Sequence, residues 1–256
     1  MRTICFVNLK GGVAKTATTV NVAAILAKCH KQRVLIVDAD SQCNATEFYG
    51  GDSAPLNLAD LLRYGAPADG DWGIQETAFP GVSILPGDES LMDLDLTKVE
   101  KSDVRSTVLQ ELAQDAEKLN LFDFILVDCP PAFNAASAAA LLAADEVVIP
   151  IKLDAFSLRG MANLMRQISN MRKINPLLRL SGLLPTMWYK SNNIAKAEQQ
   201  LKASGLPIYP HIRRTDKVDD MTFAQEPLVV SSPNSAACID YKRFVKQLIG
   251  GRESNG

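Results

Sequence analysis

The sequence predicts a doubly wound α/β fold, in which helices cover both faces of a mostly parallel β-sheet. Three short apolar runs, at residues 4–7, 34–37 and 124–127, have the length and composition of buried parallel strands. Helical patterns alternate with these runs and with further ones along the chain. Such alternation requires crossover connections, which make the strands parallel and place helices on both faces. Ligands of these sheets bind at the carboxyl ends of the strands.

The predicted elements follow one another in a regular order. After the first strand we expect a helix at 20–28, then the strand at 34–37. The later elements are strands at 82–86, 124–127, 146–151 and 180–185 and helices at 103–119, 156–174, 194–203 and 235–249. Segment 65–81 has the composition of a mobile surface loop. We expect one domain over residues 1–256, with a flexible tail at 250–256.

Composition favours a cytoplasmic globular protein. The chain has 256 residues and is 47% hydrophobic, which suffices for the core of one α/β domain. Its 5 cysteines are odd in number, scattered and never spaced C-x-x-C, so neither a zinc site nor a disulfide framework is expected. No apolar run approaches the ~18 residues of a membrane span. The short apolar stretch at 4–7 predicts a first strand and not a signal peptide.

The first predicted strand leads directly into a glycine turn and a helix start. Residues 8–19 read NLKGGVAKTATT. Glycines let successive backbone N–H groups converge on phosphate oxygens, and the helix start adds partial positive charge. We expect Lys15 to neutralise the β- and γ-phosphates and the Thr16 hydroxyl to bind Mg²⁺. The segment therefore predicts a nucleoside triphosphate site.

This loop is not the ordinary phosphate loop, G-x-x-x-x-G-K-[ST]. Leu9 and Ala14 stand where that pattern has its two glycines, and a second lysine, Lys10, precedes the Gly-Gly pair. The loop has the form K-G-G-x-x-K-[ST]. For so short a motif, a plain Gly-Gly turn between a core strand and a core helix is the alternative.

Two further strands end in acidic residues. Residues 33–46 read RVLIVDADSQCNAT, and residues 122–131 read FDFILVDCPP. Buried parallel strands of this kind deliver carboxylates to the same edge of the sheet as the glycine loop. Taken alone, each Asp could cap a strand end or the next helix. The three segments in this order favour one shared nucleotide site.

Together these segments resemble the ParA/MinD family of deviant Walker A ATPases. The resemblance implies a P-loop NTPase-type fold, ATP and Mg²⁺ as cofactors, and slow, partner-stimulated ATP hydrolysis. It implies that Lys10 reaches the nucleotide of a second subunit, so that ATP closes a homodimer. It also implies that Asp40 positions the attacking water and that Asp38 and Asp128 support the metal together with Thr16. The catalytic residues implied are Lys10, Lys15 and Asp40.

The resemblance continues more loosely through the second half of the chain. Segments 146–150, 158–160, 182–193, 211–214 and 227–241 follow the family pattern. It implies that Met187, Ile212 and Arg213 lie beside the adenine. The nucleotide-binding residues implied are Lys10, Gly11, Gly12, Val13, Ala14, Lys15, Thr16, Ala17, Met187, Ile212 and Arg213.

Several residues depart from the family pattern. Ala14 and Cys43 stand at glycines, Ser41 at a proline, and Tyr189 at a frequent aspartate, while Ala17 lacks the usual hydroxyl. If the position of Ala14 requires a positive φ, alanine costs about 1 kcal/mol there. These departures affect the expected turnover rate more than the expected activity.

Charge is unevenly distributed along the chain. Residues 1–151 carry 11 Lys and Arg against 21 Asp and Glu, a net charge of −10, whereas residues 152–217 carry 12 against 3, a net charge of +9. Clustered cations bind the phosphate backbone of nucleic acid without reading its sequence. The alternative is a set of solvated helix faces that balance the acidic half. Small ParA proteins use such residues for nonspecific DNA, and the candidates here are Lys190, Arg213, Arg214 and Lys217.

Three functions follow from the resemblance. The first is plasmid or chromosome partitioning on the nucleoid, with nonspecific DNA and a ParB-like partner, by a small form without an operator-binding domain. The second is a MinD-like membrane ATPase, although the basic helix at 241–249 is expected to pack in the core, so no membrane partner is expected. The third is an ATP-dependent small-molecule enzyme on the same fold. An iron–sulfur carrier is disfavoured because no cysteine pair suits a shared cluster.

Overall fold

The strands form one sheet. A computed structural model describes residues 1–51, 56–94 and 105–250, with residues 155–159 described by their backbone alone. Within these ranges the strands are β1 (Arg2–Phe6), β2 (Val34–Asp38), β3 (Gln75–Glu76), β4 (Val82–Leu85), β5 (Phe124–Asp128), β6 (Glu146–Lys152) and β7 (Arg179–Thr186). Their order in the sheet is β3-β4-β2-β5-β1-β6-β7. Every neighbouring pair is parallel except β3 and β4.

Helices connect the strands and cover both faces. They are α1 (Lys15–His30), α2 (Asn44–Phe48), α3 (Leu58–Tyr64), α4 (Val108–Lys118), α5 (Ala135–Ala143), α6 (Ala155–Met171), α7 (Asn192–Ala203), α8 (Lys217–Ala224), α9 (Leu228–Ser231) and α10 (Ala236–Gly250), with a 3₁₀-helix at Glu89–Asp93. The doubly wound, mostly parallel fold predicted from the sequence is confirmed. None of the helices in the described part of the chain has the length and apolar character needed to cross a bilayer.

Successive residues of a strand point to opposite faces of the sheet, so the hydrophobic core has one part on each face. On β1, Ile4 and Phe6 join a cluster with α1, α9 and α10, whereas Cys5 joins the cluster with α3, α4 and α5. This period of two lets each central strand bury both of its faces. The sheet is thereby held between two helical layers, and the carboxyl ends of its strands stay open to form a site.

Some predicted elements differ in detail from the observed ones. The helix predicted at 103–119 begins at Val108, because the Arg105 backbone N–H donates to the Leu62 carbonyl (2.7 Å) and residues 106–107 form a turn. The predicted loop 65–81 contains the antiparallel edge strand β3, which is too short to give a pattern. Residues 103–104 and most of the predicted tail, residues 251–256, lie outside the described residues.

The last helix belongs to the core, as the sequence predicts. Tyr241, Phe244, Val245 and Leu248 on α10 are buried against the α1 face of the sheet. The Arg2 Nη1 atom donates to the Leu248 carbonyl (2.9 Å), which ties the last turn of α10 to the start of β1. The apolar side of this helix is therefore used for packing within the chain.

A buried ion pair links the starts of three strands. The Oε1 atom of Glu146 accepts from Arg2 Nε (3.0 Å) and Nη2 (2.6 Å), and Arg179 Nη2 lies 3.0 Å from the same atom. Ser181 donates to Oε2 (2.8 Å). Burial raises the pKa of Glu146, but the Ser181 hydrogen bond, the Arg2 charge and hydrogen bond and the Arg179 charge outweigh it, so the pKa lies below its usual value. The ionised form is therefore the one that the fold stabilises.

We predict that Glu146→Gln lowers the free energy of unfolding by about 3 kcal/mol, because it leaves the buried Arg2 guanidinium without its countercharge. Urea denaturation at neutral pH measures this loss. The pKa of Glu146 is lower in the folded state than in the unfolded state. The wild-type contribution is therefore complete above the unfolded value of about 4.3 and disappears as the pH falls through the folded value.

The exposed Glu117, which lies 3.5 Å from the N-terminal amine, provides the matched control. Glu117→Gln should change the free energy of unfolding by less than about 0.5 kcal/mol, because exposed ion pairs contribute little. Equal losses in the two variants at neutral pH would contradict a special role for the buried pair.

Candidate nucleotide site

The phosphate loop joins β1 to α1 through two residues with left-handed backbones. Gly12 has φ 66° and Ala14 has φ 64°. The position of Ala14 does need a positive φ, so the alanine carries a strain of about 1 kcal/mol. The Thr186 hydroxyl donates to the Val13 carbonyl (3.0 Å), and the Asn8 side-chain amide donates to the Pro150 carbonyl (2.8 Å). These contacts fix the loop against β6 and β7.

The two lysines of the loop have different environments. Lys15 is the first residue of α1 and is buried, and its Nζ donates to the Lys10 carbonyl (3.4 Å). Burial lowers the pKa of Lys15, while Asp128 and Asp40 favour its charged form. Lys10 is half-buried, and its Nζ lies 2.6 and 2.8 Å from the carboxylate oxygens of Asp154, just after β6. Lys10 is thus ion-paired within its own chain.

Asp128 presents a buried carboxylate oxygen at the strand edge. The register pairs it with Phe6 on one side and Asp38 on the other. Its Oδ1 accepts from the Thr19 hydroxyl (3.2 Å), whereas its buried Oδ2 has no hydrogen-bond partner among the described residues. Burial and the neighbouring Asp38 charge raise the pKa of Asp128 to about 8. An unsatisfied buried oxygen is unfavourable, so this atom is suited to a cation or its bound water.

The donor set fits magnesium held mainly by other ligands. Among the described residues, no three Cys, His, Asp or Glu side chains converge as a metal site. Mg²⁺ in nucleotide sites takes one or two protein ligands and completes its shell with phosphate oxygens and water. The Thr16 hydroxyl at the start of α1 and Asp128 at the end of β5 match that requirement.

Asp38 organises the loop that carries Asp40. Asp38 is fully buried, and its Oδ2 accepts from both the backbone N–H and the hydroxyl of Thr46 (2.8 Å each). Its Oδ1 accepts from the Asp40 N–H (3.2 Å). Burial raises the pKa of Asp38 to about 6, against the lowering effect of the Thr46 hydrogen bonds. Both oxygens are therefore used within the loop, and a role of Asp38 toward the metal stays a prediction.

Asp40 lies in a tight turn that opens toward the phosphate loop. Its Oδ1 accepts from the Gln42 N–H (3.1 Å), and its carbonyl accepts from the Cys43 N–H (2.9 Å). Cys43 has φ 53° and precedes α2, a backbone conformation that favours glycine. The carboxylate of Asp40 interacts electrostatically with Lys15. The turn therefore brings Asp40 to the lysine that is expected to face the phosphates.

The structure brings the predicted adenine segments together. The Trp188 N–H donates to the Ile212 carbonyl (2.9 Å), and the Arg214 N–H donates to the Trp188 carbonyl (2.8 Å). A cavity of about 410 Å³ lies between these segments and the phosphate loop. Its lining residues are Gly12, Ala14, Lys152, Thr186, Met187, Tyr189, Ile212, Arg213, Arg214, Thr215, Val218, Asp219 and Tyr241. The segments around Met187 and Arg213 form one wall of this cavity, here called the base-side wall. The phosphate loop lines the same cavity.

The four candidate DNA-binding cations differ in availability. Arg214 is exposed and lines the cavity, and the exposed Lys190 follows the lining residue Tyr189 in the chain. Lys217 is exposed and lies 2.9 Å from Asp220, an exposed pair of the kind that contributes little. Arg213 instead forms a two-pronged ion pair with the buried Asp240 (2.7 and 2.9 Å). Its guanidinium is thus ion-paired within the chain, although 41% of the side chain is accessible.

Sequence reasoning missed three residues that support the site: Thr46, Asp154 and Asp240. Asp154 follows a buried strand, so the rule that selected Asp38 and Asp128 could have selected it as well. Asp240 is a lone acid on the buried side of the predicted last helix, which is a signal for a paired charge. The sequence does not indicate which cation pairs with either acid, because the cation lies far from the acid along the chain.

Comparison with known proteins identifies the family. The profile of the AAA_31 family, described as AAA domain, matches residues 1–180. The chromosome-partitioning ATPase Soj of Thermus thermophilus is 32% identical over 253 residues, which cover 97% of this chain and 96% of that protein. The chain belongs to the ParA/MinD family.

Two further relatives indicate the range of this family fold. The chromosome partitioning protein ParA of Caulobacter vibrioides is 29% identical over 97% of this chain and 94% of its own length. The structure of cobyrinic acid a,c-diamide synthase from Mycobacterium smegmatis, with bound ADP and magnesium, superposes with a TM-score of 0.81 at 27% identity, over 100% of this chain and 97% of that one. Partition proteins and a small-molecule enzyme thus share this architecture.

We predict that Lys15→Ala reduces ATP affinity about a hundredfold or more, because the phosphates lose a charge-assisted hydrogen bond at the centre of the loop. Isothermal titration calorimetry with ATP and magnesium measures the effect. Lys28→Ala is the matched control, since Lys28 is an exposed lysine near the other end of α1. Unchanged affinity in Lys15→Ala would contradict the assignment of the phosphate loop.

Proposed function

We propose that this protein is an ATP-hydrolysing partition protein that dimerises with ATP and then binds DNA without sequence preference. One observation carries the proposal: the exposed cations Lys190 and Arg214 belong to the segments that wall the nucleotide cavity. Nucleotide binding and phosphate-backbone binding therefore use the same two segments. A ParB-like partner would stimulate hydrolysis and release, and the ATP-bound protein would lie on the nucleoid. The whole chain would act as one domain.

The chemistry follows from the residues at the strand edge. Lys15 and the N–H groups of the loop would bind the β- and γ-phosphates. Magnesium, held through Thr16 and Asp128, would neutralise charge that develops on the phosphates. Asp40 would accept a hydrogen bond from the attacking water and orient it. These assignments are supported by the proximity of Asp128, Asp40 and Lys15, whose charges influence one another.

The ion pair between Lys10 and Asp154 adds a condition for dimerisation. Lys10 Nζ must leave Asp154 if it is to reach the nucleotide of a second subunit. The pair is partly exposed, with about a third of each side chain accessible, so its separation in solvent is inexpensive. The triphosphate of the partner would offer a stronger countercharge than one carboxylate. ATP would therefore favour exchange of the partner of Lys10.

A second candidate function is ATP-dependent chemistry on a small molecule, which the similarity to the Mycobacterium smegmatis synthase favours. ATP hydrolysis assayed with DNA and with a ParB-like protein distinguishes the two functions. Stimulation by those macromolecules supports partitioning, and hydrolysis that responds to neither of them contradicts it. A MinD-like membrane role is opposed by the burial of the apolar side of α10.

We predict that Asp40→Ala binds ATP and dimerises but loses hydrolysis by about a hundredfold or more, within the range that general base catalysis contributes. Lys10→Ala should stay monomeric with ATP, because the contact to the second subunit is lost. Size-exclusion chromatography with light scattering measures the mass. Lys31→Ala, an exposed lysine next to α1, should dimerise like the wild type. A Lys10→Ala dimer would contradict the role of Lys10 across the interface.

We predict that DNA binding requires ATP and that log affinity falls with log salt by about 0.9 for each phosphate neutralised. The double variant Lys190→Glu, Arg214→Glu should bind every sequence more weakly and with a flatter slope, because phosphate contacts carry no sequence information. Fluorescence anisotropy on two unrelated duplexes measures both quantities.

The double variant Lys28→Glu, Lys31→Glu makes the same change in net charge at the far end of α1, roughly 20 Å from Lys15. This control should bind DNA more tightly than the Lys190→Glu, Arg214→Glu variant, and its log affinity should fall more steeply with log salt. Equal weakening by the two pairs would indicate an effect of net charge alone. DNA binding that is equally tight without nucleotide would contradict the coupling.

A further inference from the structure

Two neighbouring residues of α10 reach opposite walls of the nucleotide cavity. Asp240 contacts Arg213 on the base-side wall, and the Tyr241 hydroxyl lies 3.2 Å from the Thr18 hydroxyl. Thr18 in turn donates to the carbonyl of Ala14 in the phosphate loop (2.6 Å). Asp240 and Tyr241 are both almost completely buried. The last helix is thus attached to both walls.

Asp240 contacts Arg213, on the base-side wall, through both of its carboxylate oxygens. Asp240 Oδ2 accepts from the backbone N–H of Arg213 (3.0 Å) and from its Nε (2.7 Å), while Oδ1 accepts from Nη2 (2.9 Å). One carboxylate therefore fixes both the main chain and the side chain of Arg213. Arg213 Nη2 also donates to the Ala236 carbonyl (3.3 Å), at the start of α10.

The segment around Arg213 is attached to the edge of the sheet, beside the end of β7. Residues 212–214 lie outside the named strands, and three backbone hydrogen bonds join them to the end of β7 and the residues after it: Ile212 N–H to the Pro185 carbonyl (2.7 Å), Trp188 N–H to the Ile212 carbonyl (2.9 Å) and Arg214 N–H to the Trp188 carbonyl (2.8 Å). Met187, on the facing segment, has φ 52°. So short a segment keeps its position through these few backbone bonds together with specific side-chain contacts. The Asp240 carboxylate supplies three of those contacts.

We infer that Asp240 is a positioning residue that holds the base-side wall of the nucleotide cavity in place through Arg213. The contribution of the base to ATP affinity therefore depends on Asp240. This inference rests on the proposed nucleotide-binding function. Asp240 touches neither the phosphate loop nor the strand-edge acids through any described contact. We therefore expect its effect to fall mainly on the part of the ligand beyond the triphosphate.

The test compares ATP with inorganic tripolyphosphate, which has three linked phosphates and one more ionisable oxygen than ATP but neither sugar nor base. Calorimetry gives the Kd of both ligands, with magnesium, for the wild type and for Asp240→Asn. We expect the ATP affinity of the variant to fall about tenfold, a size typical of a disturbed buried hydrogen-bonded network. The tripolyphosphate affinity should stay within about twofold. Asp220→Asn, which removes an exposed aspartate paired with Lys217, should change neither.

A second variant guards against a general loss of folding. Arg213→Lys keeps the charge but loses the planar fork that engages both carboxylate oxygens, so it should reproduce the selective loss. The double variant Asp240→Asn, Arg213→Lys should lose no more ATP affinity than either single variant, because the two residues act as one unit. Thermal unfolding without ligand shows whether each variant is folded at the assay temperature.

The outcomes separate this inference from the function on which it rests. A wild type that binds ATP and an Asp240→Asn variant with the same ATP-to-tripolyphosphate affinity ratio would overturn the inference alone. Equal losses for the two ligands in folded variants would also overturn it, since they would indicate a general structural role. A wild type that binds neither ligand would overturn the proposed function and the inference together.

Discussion

Lys15 balances the charge at the carboxyl edge of the sheet. Its buried amine faces Asp128 and Asp40, which favour the charged ammonium against the effect of burial. Asp128 and Asp38 are direct neighbours in the register of β5 and β2, and their repulsion contributes to the raised pKa of Asp128. Without the amine, this edge would hold buried carboxylates whose ionisation is unfavourable. The strand order around β1 brings the lysine and the acids together at one edge of the sheet, so the charge balance of the site depends on the fold.

The sequence predicted the parts of the fold and of the site that depend on local patterns. Buried strands ending in Asp38 and Asp128 are continuous apolar runs, and the loop before Lys15 combines glycines with a helix start. A positive φ at Ala14 was considered only as a condition, and the structure shows that the condition holds. Each of these features is fixed by residues within one turn or one strand.

Features that depend on contacts between distant segments were not predictable. Asp154 is separated from Lys10 by 144 positions, and Asp240 is separated from Arg213 by 27. No local sequence pattern indicates which cation each of these acids binds. The same limit applies to Arg213, which the charge pattern grouped with Lys190 and Arg214, although the structure commits its guanidinium to a buried carboxylate. The predicted elements also omitted β3, α2, α3, α5, α8 and α9. Of these, β3 and α9 have only two and four residues and contain no measurable period.

Strain in the two loops of the site is compensated by their neighbours. Ala14 and Cys43 both have left-handed backbones without being glycine, at a cost on the order of 1 kcal/mol each. Such conformations persist only where surrounding contacts over-determine them. Ala14 is held through its carbonyl by Thr18, and Cys43 is held by its backbone bond to the Asp40 carbonyl. The contacts that stabilise these turns are therefore the same ones that hold the phosphate loop and Asp40 in place. A non-glycine residue also restricts the unfolded chain, which offsets part of the strain.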